Sequence, residues 1–295
     1  MKPADATALP LIRKRAKPLL GTVVEIAVSG VGEDVFILAT DAAFARIEKI
    51  HRAMSFHELT SDLATIANAK AGEIFSISPD TWKTLALALK IETYSNGLFN
   101  PTIAPELVKR GILPSPSQNN YHPPTQSGSL KNSIALEDNF HIYVQSAVWI
   151  DLGGIAKGYA VDEAVAALVK HGAPNGVVNA GGDLRVFGEI EHAVSVRIPS
   201  APHCVLPAVS LHNLSCATTA RYYSANTKSS IIGTRSKAAA NYNSVSVIAP
   251  SCAVADALTK VLWLSGPDSA EIRKMLLHFN ANAALIDLAG VLYRL

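Results

Sequence analysis

The amino-acid sequence predicts an α+β fold resting on a largely antiparallel sheet. Strand-like runs are bounded by helical patterns without the regular alternation that βαβ units require, and many short strands follow one another in the second half. No internal repeat points to a solenoid or a propeller.

Taken in order, residues 1–17 read as an irregular basic leader, and the chain from 18 to 295 as one domain. "LLGTVVEIAV" is a strand. "EDVFILATDAAFARIEKIHRAM" has helical periodicity, with Val35, Leu38, Ala42, Ala45 and Ile47 on its apolar side. A short helix follows in "TSDLATIANA", capped by Thr60 or Ser61. After the strand "GEIFSIS", Ser78 and Pro79 open another helix, because serine caps free amides and proline is tolerated in the first turn; Gly97 stops it. Residues 111–130 are rich in Pro, Ser, Asn and Gln and read as a mobile surface loop. Short strands near 133–136 and 140–151, a helix over 155–171 ended by Gly172, and the strand "GVVNAGG" come next. Further strands run from Leu184 to Ile232 and through "SVSVIAP". Helices in "CAVADALTKVLWLSG" and "DSAEIRKMLLHF" precede a closing hairpin.

At 295 residues, 49% of them hydrophobic and 17% charged, the chain is ordinary for a folded protein and too apolar for a disordered one. A net charge of +2 without a clustered Lys/Arg stripe speaks against nucleic acid as a partner. No stretch is long and apolar enough to span a bilayer, and the N-terminus lacks the apolar core of a secretion signal, so the expected location is cytoplasmic. Three cysteines and nine histidines show no ligand spacing such as C-x-x-C or H-x-x-x-H.

Three segments carry chemistry. In "WIDLGGIAKGYAVD", Asp151 precedes Gly153 and Gly154, and Lys157 stands in the first turn of the following helix. Glycines let a bulky ligand approach the backbone, and a helix start with a lysine attracts an anion, so the pattern suits a phosphate; a tight turn with a solvated lysine is the plainer reading. "VVNAGGD" repeats the arrangement with Asn179, Gly181, Gly182 and Asp183, where a β-turn satisfying local amides is the alternative. In "APSCAVADAL", Asp256 lies in an otherwise apolar helix. A carboxylate there is costly unless paired, solvated or bound to a cation, and Mg2+ would be one such cation.

These motifs, with "LLGT", "MSFHELTSDLATIANA" and "SNGLFNPTIAP", resemble the FAD:protein FMN transferases, the ApbE-like flavin transferase family, from about Pro18 to the last hairpin. The resemblance implies a T-fold-like α+β body with a small second lobe and the flavin in the cleft between. It implies an enzyme that uses FAD and Mg2+ and attaches FMN through a phosphoester to a threonine of a target flavoprotein. Leu20, Phe56, Leu98, Phe99, Asn100, Asp151, Lys157 and Ile231 match positions that contact the flavin nucleotide. Gly154, through its carbonyl, and Asp256 match metal ligands.

The sequence departs from that pattern at the catalytic end. Lys260 stands where the family has a metal-binding threonine, four residues after the aspartate and one helical turn along. Thr259 is adjacent and is an expected substitute ligand, whereas the Lys260 ammonium is able to pair with Asp256 and replace the metal. Ser230 and Gly233 occupy positions of a histidine and an aspartate, "ATTAR" replaces "ATSGD", and Asn100 replaces a carboxylate. Three outcomes stay open: an active transferase, an FAD-binding protein that has lost transfer, and a pyrophosphatase splitting FAD with water.

Overall fold

The computed structural model describes residues 11–115, 124, 128–195, 197–198, 201–205, 209–220, 231, 242–267 and 269–295. The hairpin β1 (Ile12–Leu19) and β2 (Thr22–Ser29) leads into α1 (Glu33–Met54). Then come α2 (Asp62–Asn68), β3 (Ile74–Ser76), α3 (Pro79–Tyr94), α4 (Ala104–Lys109), α5 (Leu130–Ser133), β4 (Ile134–Glu137) and β5 (His141–Val144). After α6 (Ala156–Lys170) the chain forms the hairpin β6 (Asn175–Ala180) and β7 (Asp183–Phe187). Two small ladders pair β8 (His192–Val194) with β11 (Val209–Leu211) and β9 (Arg197–Ile198) with β10 (Ala201–Val205). The chain closes with β12 (Ser215–Ala220), β13 (Tyr242–Ala249), α7 (Cys252–Ser265), α8 (Ala270–His278), β14 (Asn282–Asp287) and β15 (Leu292–Arg294).

Eight of these strands make one sheet in the order β1-β2-β6-β7-β12-β13-β14-β15, antiparallel at each junction. The expected α+β class with a largely antiparallel sheet is what the chain adopts. A separate three-stranded sheet, β3-β5-β4, lies outside it. Val24, Ile26, Val178 and Val247 join Phe44, Val161, Leu258 and Leu262 of α1, α6 and α7 in the main core. Val177, Leu184, Val186, Leu211 and Cys216 form a second, smaller cluster. Within α7 the residues from Cys252 to Thr259 are all buried, as expected of a helix apolar on every side. None of the described helices is long and apolar enough to cross a membrane.

Several local expectations are corrected. The expected irregular leader contains a strand, Ile12–Leu19, which is β1 at the sheet edge. Its alternating cations concealed it: Arg15 reaches Thr40 and Asp41, Lys17 lies over the Phe44 ring, and alkyl stems take the place of an apolar strand face. The buried side of α1 is Phe36, Ala39, Thr40, Ala43, Phe44, Ile47, Ile50 and Met54, leaving Val35, Leu38 and Ala45 exposed. "VFIL" offers apolar residues in every direction, and the two phenylalanines, with most surface to bury, take the core. The strand near 140–151 ends at Val144; residues 147–152 run on without regular structure, although Val148, Trp149 and Ile150 are buried. Of the two expected cap candidates for α2, Ser61 is the one used, its hydroxyl accepting the Ala64 N–H. Most of the loop expected over 111–130 lies outside the described residues.

Candidate active site

A cavity opens between the 98–103 segment, the Gly153–Gly154 turn and α7. Leu98, Phe99, Asn100, Asp151, Gly153, Gly154, Ile231 and Lys260 line it, with Pro101, Ile103 and Leu264. The Asp151 N–H donates to the Pro101 carbonyl at 2.8 Å and fastens two of these walls together. The Asp151 carboxylate closes the glycine turn by accepting the Gly153 N–H at 2.9 Å. Burial pushes the Asp151 carboxyl above its ordinary range, and neither the Gly153 N–H nor His57 offsets this. Asn100 uses both ends of its amide: the carbonyl accepts from the Thr102 N–H and hydroxyl, and the NH2 donates to the Gly128 carbonyl at 2.9 Å. A carboxylate at position 100 would supply no such donor.

Behind the cavity lies a cluster of four charges. Asp256 on α7 is fully buried, and its Oδ1 accepts from the Lys260 ammonium one turn along. Its Oδ2 accepts the Gly158 N–H of α6 at 3.2 Å. That bond requires close helix packing, and glycine permits it: a methyl at position 158 would stand 2.3 Å from the Cys252 carbonyl oxygen. Lys157 pairs with Asp183, which opens β7 and is itself buried. Burial alone raises the Asp256 carboxyl, but Lys260, Lys157 and the Gly158 N–H outweigh it and hold the group below the usual carboxylate range. Asp183 goes the other way, because burial and the nearby Asp256 charge push it up more than the two lysines pull it down.

The NAGGD turn sits beside this cluster. Gly181 and Gly182 adopt left-handed backbone at φ 64° and 102°, and the Gly182 N–H donates to the Asn179 side chain. Gly181 lies against Thr22, directly after the β1–β2 turn in which Leu20 has φ 56°. Leu20 is therefore close to the second glycine turn in the fold, although it does not line the cavity. Phe56 packs with Ala67, Ala104 and Trp149 in a satellite cluster and does not line the cavity either. Lys157 faces Asp183 and is absent from the lining. Ser230, Gly233 and Arg221, the last residue of "ATTAR", lie outside the described residues.

Sequence reasoning placed Asp183 in the second glycine turn but did not pair it with Lys157, and it did not single out Asp162. Asp162 of α6 accepts from the Ser251 hydroxyl and from the Cys252 and Ala253 N–H groups, capping α7, while Arg185 holds it at 2.5 Å. The hint was a second aspartate five residues after Lys157, within the same glycine-rich motif.

The residues as placed do not fit a Mg2+ ion at Asp256. Both carboxylate oxygens are engaged, one by an ammonium. The Lys260 stem, on its way to Asp256, lies beside Gly154, 3.6 Å from where a side chain there would begin. The Thr259 hydroxyl donates to the Asp256 backbone carbonyl at 2.7 Å and meets Thr219 at 2.8 Å, inside the core. Among the described residues no group of three His, Cys, Asp or Glu side chains is placed to hold a metal.

Glycine backbone, apolar side chains and the Lys260 ammonium share the cavity wall, a combination suited to an anionic ligand with apolar parts. The ApbE family model matches residues 20–284, and the chain belongs to that family. A Haemophilus influenzae protein named FAD:protein FMN transferase is 25% identical over 249 residues, spanning 77% of this chain and 72% of that protein. The crystal structure of the ApbE protein from Thermotoga maritima has a TM-score of 0.78 at 26% identity, covering 96% of this chain and 97% of that one. The flavin transferase ApbE from Vibrio cholerae shares the fold, with a TM-score of 0.79 at 19% identity over 97% of both chains.

Proposed function

We propose that this chain is an FAD:protein FMN transferase, taking FAD into the cavity and passing FMN to a threonine hydroxyl of a target flavoprotein. The observation that carries this is the composition of the cavity in an ApbE family member. Leu98, Phe99 and Ile231 supply apolar surface suited to a flavin ring, while Lys260 and the Gly153–Gly154 backbone supply a positive charge and room for a diphosphate. In the reaction the threonine oxygen bonds to the phosphorus of the FMN half as the bridging P–O bond to AMP breaks. AMP leaves with the electron pair, and the hydroxyl proton passes to solvent. Such a transfer asks little covalent chemistry of a protein and much positioning and charge compensation, which rigid glycine turns and a fixed lysine provide.

The test is incubation of the protein with FAD and a threonine-bearing acceptor domain. Flavin fluorescence on the acceptor band of a denaturing gel, with release of AMP, is the expected result. If calorimetry shows no uptake of FAD, the reading fails at its first step.

A further inference from the structure

We infer that in this chain the Lys260 ammonium is the built-in counter-ion of the nucleotide site, taking the position of a divalent cation at Asp256. The catalytic side of this inference rests on the reading of the cavity as an FAD site; the cation side stands on the residues alone. Lys260 is four residues from Asp256 on one helix, the spacing at which a lysine lies directly over a carboxylate. The carboxylate is fully buried, whereas the lysine side chain keeps 20% of its surface exposed and lines the cavity. An ammonium carries three donors. One is spent on Asp256, and the position of Lys260 in the cavity wall leaves the others for phosphate oxygens.

Charge balance supports the same conclusion. Lys157 and Lys260 together neutralise Asp183 and Asp256, so the buried cluster is complete without a metal. A divalent ion added next to the Lys260 ammonium would meet a like charge at short range in a poorly solvated site. To bind, it would first have to displace the ammonium from Asp256 and the Lys260 stem from Gly154.

The test has two arms. In the first, FAD affinity is measured by calorimetry, and FMN transfer by gel fluorescence, in EDTA and in Mg2+. The wild-type protein is expected to behave alike in both, and a loss of about tenfold in affinity on chelation would overturn the inference. In the second, Mn2+ is titrated into the ligand-free protein and bound ion is read by electron paramagnetic resonance, which needs neither FAD nor activity. Wild type is expected to bind no Mn2+ at this site, and Lys260→Thr to gain a site that Asp256→Asn in the same background removes. Stoichiometric Mn2+ binding by wild type that is lost in Asp256→Asn would sink the proposal. Should Lys260→Thr fail to fold, that wild-type comparison decides alone. Absence of FAD binding with and without metal overturns the proposed function, and the Mn2+ arm still judges the counter-ion.

Discussion

Lys260 and Asp256, one turn apart on α7, are joined ammonium to carboxylate, and the carboxylate has no exposed surface. Removing one partner leaves a buried charge uncompensated. Lys260→Met is therefore expected to lower unfolding stability by about 3–5 kcal/mol, whereas Lys260→Met with Asp256→Leu recovers most of it, because the penalty belongs to the orphaned charge. Urea unfolding of the three proteins is the measurement. A single mutant as stable as wild type would mean that the pair is not buried in solution.

Gly158 lies inside α6, where alanine is ordinarily the better helix former by up to about 1 kcal/mol. Here the sign is expected to reverse. The added methyl meets the Cys252 carbonyl oxygen at 2.3 Å, parts α6 from α7 and takes the Gly158 N–H away from Asp256. Gly158→Ala should cost about 2–3 kcal/mol of overpacking strain. Denaturant midpoints read the outcome directly, and a stabilised alanine variant would refute the close helix contact.

Lys157 stands between two buried carboxylates. Burial on its own would lower its pKa, but Asp256 and Asp183 raise it above the ordinary lysine value. Lys157→Met should push the Asp183 carboxyl, already above its ordinary range, higher still. A carboxyl raised on folding contributes stability below its unfolded pKa and loses it as pH rises. The variant is accordingly expected to be weaker at neutral pH by about 3 kcal/mol and to regain part of the loss on acidification. Adding Asp183→Asn should abolish that pH dependence, which thermal melts across pH would register.

Asp80 behaves in the opposite way. Burial raises its carboxyl, but the Arg46 guanidinium and the Tyr159 hydroxyl, at 2.9 Å, bring it below the usual range. A group depressed on folding adds stability above its unfolded pKa and loses it as pH falls toward the folded value. Wild type should thus lose stability below about pH 4, and Asp80→Asn should flatten that part of the curve while being less stable at neutral pH. An unchanged acid limb in Asp80→Asn would show that Asp80 is not the group responsible.

Much of this fold and site could be read from residues alone where local chemistry was unambiguous. Ser61 and Ser78 cap their helices, Gly172 ends α6, and Asp256 does need a positive partner. Elements whose identity depends on a distant surface were harder. β1 alternates cations with weakly apolar residues and becomes a strand only because β2 and α1 receive it. The buried side of α1 was obscured by an apolar run pointing in several directions. Asp162, and the pairing of Asp183 with Lys157, were hidden for a related reason. Their partners are 23 or more residues away in the chain, and no spacing rule links them.

The Asp162 carboxylate, rooted in α6, grips the first turn of α7 through two amides and a hydroxyl. The two helices that carry Lys157, Asp256 and Lys260 are thereby tied to one another by the chain's own groups. Docking then demands little rearrangement of that half of the molecule. Its entropic penalty falls on the ligand, and a floppy dinucleotide gains affinity from a receptor already in its final shape.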